Sequence, residues 1–170
     1  MSEYIQLGVL DNVLSDVGNR IVTSQQILKC LKYDTPDALS QPDLTMPEIL
    51  EIVGKGSDPK KQQRLYQTPF NDLIVEDVRS ELRVFSDIID PNNLYLAEIN
   101  IAFQIIIHNS IWALDSNQYR FLVFIKEILR LINGYNARSI GEFKLSGPIK
   151  VFVWNKNFSG YQLHFSTRLC

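Results

Sequence analysis

Residues 99–112 read INIAFQIIIHNSIW, and this stretch decides the fold. Ile99, Ile101, Phe103, Ile105 and Ile107 alternate with Asn100, Ala102, Gln104 and Ile106, so five large apolar side chains fall on one face of an extended chain. A period of two is the mark of a strand. It predicts a long strand over 96–108 with one face against a core. His108 falls on the other face, at the strand's end, and reads as a partly exposed, hydrogen-bonded residue where the chain leaves the sheet.

The segments around this strand set the rest. Leu82 and Val84 alternate with Glu81, Arg83 and Phe85, which predicts a strand around 79–88, followed by a turn over Asp90–Asn93. Downstream, Phe121, Phe124, Ile125, Ile128, Leu129 and Ile132 recur at helical spacing. They predict a helix over 117–133, capped by Asp115 or Ser116, with Arg120, Lys126, Glu127 and Arg130 on its outer side and Asn133–Gly134 as its stop. Alternation returns at Ile149, Val151, Val153 and at Tyr161, Leu163, Phe165, with NKNFSG (155–160) as the turn between two strands.

Before residue 79 the signals are shorter. The first residues are polar and mixed. Ser24 caps a predicted helix to Lys32, and Thr45 with Glu48 forms a capping box ahead of a second short helix that stops at Gly54. The stretches 33–43 and 54–69 read as long loops. The order α, α, β, β, α, β, β describes an α+β fold: a mainly antiparallel sheet, one long helix packed on a face, and short N-terminal helices. One domain is expected over 1–170, with a helical and loop region to about residue 60 and a sheet-plus-helix core from about 61.

Totals exclude several classes. Net charge is -2 and 21% of residues are charged, so no global basic field draws the chain to nucleic acid or anionic lipid. Neither a signal peptide nor an apolar run long enough for a membrane helix is read, and no membrane partner is expected. Cys30 and Cys170 read as free thiols. GKGS (Gly54–Ser57) lacks the spacing and the strand–helix context of a phosphate loop. His108 and His164 have no third partner at metal-ligand spacing. No G-x-S-x-G elbow occurs, and Glu76–Asp77 and Asp87–Asp90 read as solvated carboxylates. No catalytic residue, metal or cofactor is expected. Lys55, Lys60, Lys61 and Arg64, with Tyr66 and Phe70 following, form a candidate basic loop for a nucleic-acid backbone.

The pattern over about 96–168 resembles the neck and tail-completion proteins of long-tailed bacteriophages, the tail-terminator and head–tail connector group. It is carried by LAEINIAFQIIIHNSIW, DSNQYRFLVFIKEILRLINGYN, IGEFKLSG, KVFVW and GYQLHFSTRL, preceded by QTPFNDLIVEDVRSELRVF. The N-terminal 45 residues lie outside it. The resemblance implies a structural virion protein, assembled in the host cytoplasm. It would be a neck or tail-terminator subunit in a homo-oligomeric ring (hexamer or dodecamer) that joins head and tail, meets other neck and tail proteins and touches passing DNA only passively. An adaptor or stopper of the same connector group is the nearest alternative. A regulatory or nucleic-acid-binding module using the basic loop is a second, and a small enzyme a third. For a ring contact the strand face Arg79, Glu81 and Arg83 and the aromatics Trp112, Trp154 and Phe158 are the candidates, read as outward-facing and exposed.

Overall fold

The structure is a computed structural model that describes residues 3–69, 77–93, 96–137 and 141–169. Helices α1 (Glu3–Ile21), α2 (Gln25–Lys32), α3 (Met46–Ile52) and α4 (Pro59–Gln62) come first. Strands β1 (Leu65–Tyr66), β2 (Ser80–Asn93) and β3 (Leu96–His108) follow, then α5 (Arg120–Ile132) and strands β4 (Lys144–Leu145), β5 (Lys150–Val153) and β6 (Phe158–Leu169). The six strands form one sheet in the order β1-β2-β3-β6-β4, with β5 also on β6. Among the described residues only the β1–β2 pair is parallel; the other strand pairs are antiparallel. The fold is α+β, as the alternation and the helical period require.

The opening stretch behaves as its period dictates. Ile99, Ile101, Phe103, Ile105 and Ile107 are buried in the core that joins sheet and helices. Leu82 and Val84 from β2, Leu163 and Phe165 from β6, and Phe124, Ile128 and Ile132 from α5 meet them there.

Four boundaries differ from the sequence reading. The first helix is the longest, at 19 residues against 13 for α5, so the fold does not rest on a single long helix. Among its residues whose side chains are described, Val13, Val17 and Ile21 are buried in the core at fourfold spacing, with Leu14 packed against it. That stripe is too narrow to stand out among Asn12, Ser15, Asp16 and Asn19. Strand β2 runs on through Asp90–Asn93, absorbing shifts at 86/88 and 91/93, so that segment is ladder and not turn. Helix α5 begins at Arg120, because Asn117 sits at φ 56 and Tyr119, extended, is the N-cap without a side-chain bond. Asp115 and Ser116 therefore do not cap it. Finally, Gly160 lies inside β6 and not in a turn.

Gly160 has a steric reason to be there. A Cβ at this position would lie 1.6 Å from the carbonyl oxygen of Ile105 and 2.8 Å from its carbon, both backbone atoms of β3. Backbone in a ladder has no rotamer to escape into. Gly160→Ala is therefore expected to cost about 3 kcal/mol or more by forcing β6 off β3. Thermal unfolding followed by circular dichroism checks this, and a variant that melts like wild type would contradict the close approach.

The segment read as a loop over 33–43 is tied down. Asp115 donates its backbone N–H to Pro36 (2.9 Å), and Leu44 donates to the Gln25 side chain (2.9 Å). Lys29 pairs with Asp43 at 2.8 Å.

Candidate functional site

Arg79, Glu81 and Arg83 share the face of β2 opposite Leu82 and Val84, as parity predicts, but they do not face water. All three are buried, Glu81 to 5% exposure. The outer face of the sheet is closed over them by Tyr66 and Trp154. Arg79 donates through Nε to Glu81 Oε1 (2.7 Å) and through Nη2 to the Tyr66 hydroxyl (2.9 Å). The Tyr66 hydroxyl in turn donates to the Gln63 carbonyl (2.9 Å). Arg83 donates to Glu81 Oε2 (3.1 Å) and to the Pro69 carbonyl (3.2 Å). Its guanidinium carbon lies 4.5 Å from the centre of the Trp154 ring, a cation–π contact that draws the end of β5 across the sheet. One carboxylate thus holds two arginines inside the fold. The reading of Arg79, Glu81 and Arg83 as exposed, outward-facing charges is corrected: these groups are buried and paired with one another. Arg83→Glu would set a second carboxylate beside Glu81 and is expected to destabilise the fold.

A second polar cluster adjoins it. Arg64 pairs with Asp34 at 3.2 Å. Burial raises the Asp34 carboxyl above its ordinary value, against the pull of Arg64 and Arg120. Arg120 has no exposed surface. It donates to the carbonyls of Ile111 (2.9 Å), Cys30 (2.9 Å), Tyr33 (2.8 Å) and Thr35 (2.7 Å). Reading it on the outer side of α5 is corrected by these bonds. Cys30 beside it is a free thiol that burial pushes up to about 11, far from a reactive thiolate. Cys170 lies outside the described residues.

The candidate basic loop does not survive as a unit. Arg64 is committed to Asp34. Lys61 is exposed. Lys55 lines a groove of about 740 Å³ with Met46, Leu50 and Gln67. The Lys60 side chain and Phe70 lie outside the described residues, as does Glu76.

His108 and His164 stand on neighbouring strands and on the same outer face, His108 at the end of β3 and His164 in the middle of β6 opposite Ala102. His108 Nδ1 meets the Ser110 hydroxyl (2.8 Å) and accepts the Ser110 N–H (3.2 Å), capping the short 3-10 turn that ends β3. His164 Nδ1 pairs with Asp87 Oδ2 at 2.7 Å. The pair spans β3 above buried Ala102, whose small side chain leaves the path open, and the bulge between Ser86 and Ile88 aims Asp87 outward. Asp87 is therefore paired and not simply solvated. Among the described residues no group of three or more His, Cys, Asp and Glu is placed to hold a metal ion.

The surface offers a different feature. Phe158 is buried, with its ring edge-on to His108 (5.0 Å), so it is no exposed anchor. Trp112 is half-buried and belongs to an aromatic strip at the start of α5. Tyr119 stacks on Phe121 (5.6 Å), Phe121 on Tyr161 (4.6 Å), and Trp112 tilts against both Phe121 and Tyr161. Tyr119 is 53% exposed and Leu122 beside it 37%. Sequence reasoning found Trp112 but missed its companions, because they come from a turn, a helix and a strand.

Buried, paired charges on one face of the sheet and a half-buried aromatic strip whose exposed end is Tyr119 with Leu122 characterise this α+β fold. A family model, YomW, matches residues 24–167, most of the chain. The chain belongs to the YomW family and is a phage-associated protein. No curated protein matches it. The matched span begins at the Ser24 cap and runs through β1 to β5 and into β6 as far as Thr167, whereas the phage resemblance read from the sequence left out the first 45 residues.

Proposed function

We propose that this chain is a structural protein of a tailed phage particle: a neck or tail-completion subunit that acts as a homo-oligomeric ring, hexamer or dodecamer, at the head–tail junction. It works by contact with copies of itself and with other neck and tail proteins, and it carries no catalysis or cofactor. The observation that carries this reading is the strip Trp112, Tyr119, Phe121, Tyr161 with Leu122. Apolar surface gathered in one place marks a contact site on a soluble protein, and Trp and Tyr dominate the energetics of such sites. The phage association of the family supports the setting. The nucleic-acid alternative is weakened by the loss of Arg64 to Asp34.

Two measurements test it. Light scattering on the purified chain, together with mass spectrometry of purified particles, is expected to find a ring-sized assembly or the chain in the particle. Leu122→Glu is expected to keep the melting temperature while lowering assembly, since Leu122 is exposed on the free subunit. Absence from particles with a persistent monomer would overturn the proposal.

A further inference from the structure

The sheet ends on one side in β4 and β5, and their outer edges differ. In β4 the Leu145 N–H that points away from β6 is taken by the Asn133 side chain (3.0 Å), which closes that part of the edge. In β5 the Trp154 N–H bonds to the Phe158 carbonyl (2.9 Å), which fixes the phase of the ladder. Bonding alternates along an antiparallel strand, so Phe152 and Lys150 also turn their backbone groups towards β6. Val151 and Val153 turn theirs outward. These two valines are 61% and 76% exposed, on an edge where folded proteins usually place a guard.

The open edge is self-complementary. We infer that β5 pairs antiparallel with β5 of a second copy about a two-fold axis through Phe152. In that register Val151 meets the second copy's Val153 and Val153 its Val151, so both outward residues of each copy bond to outward residues of the other. Lys150 falls opposite Trp154, so no like charges meet. Phe152 falls opposite itself on the outer face. One-step shifts would put outward groups against inward ones, and two-step shifts leave one valine of each copy without the other. On the opposite face Val151 pairs with Tyr161 of β6, at the end of the aromatic strip. Pairing would therefore join two strips into one surface. A two-fold contact closes on itself. On a ring it would join ring to ring, not neighbour to neighbour, and it does not depend on the ring reading.

Disulfide trapping tests the register. In a non-hydrogen-bonded antiparallel pair the Cα atoms stand about 4.5 Å apart, within disulfide range. Phe152→Cys, made with Cys30 and Cys170 replaced by Ser, is expected to give a covalent dimer under mild oxidation. Val151→Cys in the same background should give several-fold less, because its partner position is Val153. Val153→Pro, which removes an outward N–H, should abolish the dimer seen by analytical ultracentrifugation while β6 and the core keep the fold. Equal cross-linking at Val151 and Phe152, or a wild-type chain monomeric at every concentration, would overturn the inference. Both readouts are made on the isolated chain, so they are separate from its presence in a phage particle.

Discussion

Glu81→Ala is expected to lower stability by about 3–5 kcal/mol, the usual cost of breaking a buried ion pair from one side. The reason is asymmetry. Arg79 and Arg83 both lean on this carboxylate, and both are buried, so removing it strands two guanidinium groups away from water. Urea unfolding should show a lower midpoint with an unchanged slope. The companion variant sharpens the test. Arg79→Met, Glu81→Leu and Arg83→Met together remove the charges and their desolvation cost at once, and should come much closer to wild type. A Glu81→Ala loss below about 1 kcal/mol would fit a solvated surface cluster and contradict the burial.

Arg120→Met is expected to cost about 4 kcal/mol or more, since each buried polar group left without a partner costs about 1–3 kcal/mol. Arg120 serves four carbonyls from three parts of the chain: Cys30 and Tyr33 at the end of α2, Thr35 in the following segment, and Ile111 ahead of α5. The last carbonyls of a helix have no partner within it, and the negative end of its dipole favours a cation there. Arg120→Lys should recover less than half of the loss, because an ammonium cannot reach the separate acceptors that the planar fork spans. Hydrogen exchange should locate the damage at 25–36 and 109–120 while the β3–β6 ladder stays protected. If the loosening spread evenly over the chain, Arg120 would not be a local clamp.

These two clusters shape what the surface can do. The charges that the sequence presents as an outward face, Arg79, Glu81 and Arg83, are instead paired inside the fold. Under the proposed function, two of the apolar features that remain exposed among the described residues are the aromatic strip at the head of α5 and the edge of β5. A contact made by a preformed sheet would carry a low ordering cost.

The sequence by itself determined the elements whose cause is local. The period of two in Ile99–Ile107 placed β3 and its buried face. The helical period placed α5, Ser24 placed the start of α2, and the Thr45–Glu48 box placed α3, because caps and periods are decided within one turn or one strand. The α+β class followed from their order. Tertiary structure decided what happens to the faces those periods leave outside. Parity put Arg79, Glu81 and Arg83 on the outer face correctly, but only the approach of Tyr66 from β1 and Trp154 from the end of β5 turned that face into an interior. Arg120 looks solvent-facing on its own helix, and only the end of α2 lying against it made it a clamp. Gly160 reads as a turn residue until β3 comes within a Cβ's reach. The physical reason is the same in each case. Periodicity states which side a residue takes, while burial depends on what the rest of the chain brings to that side.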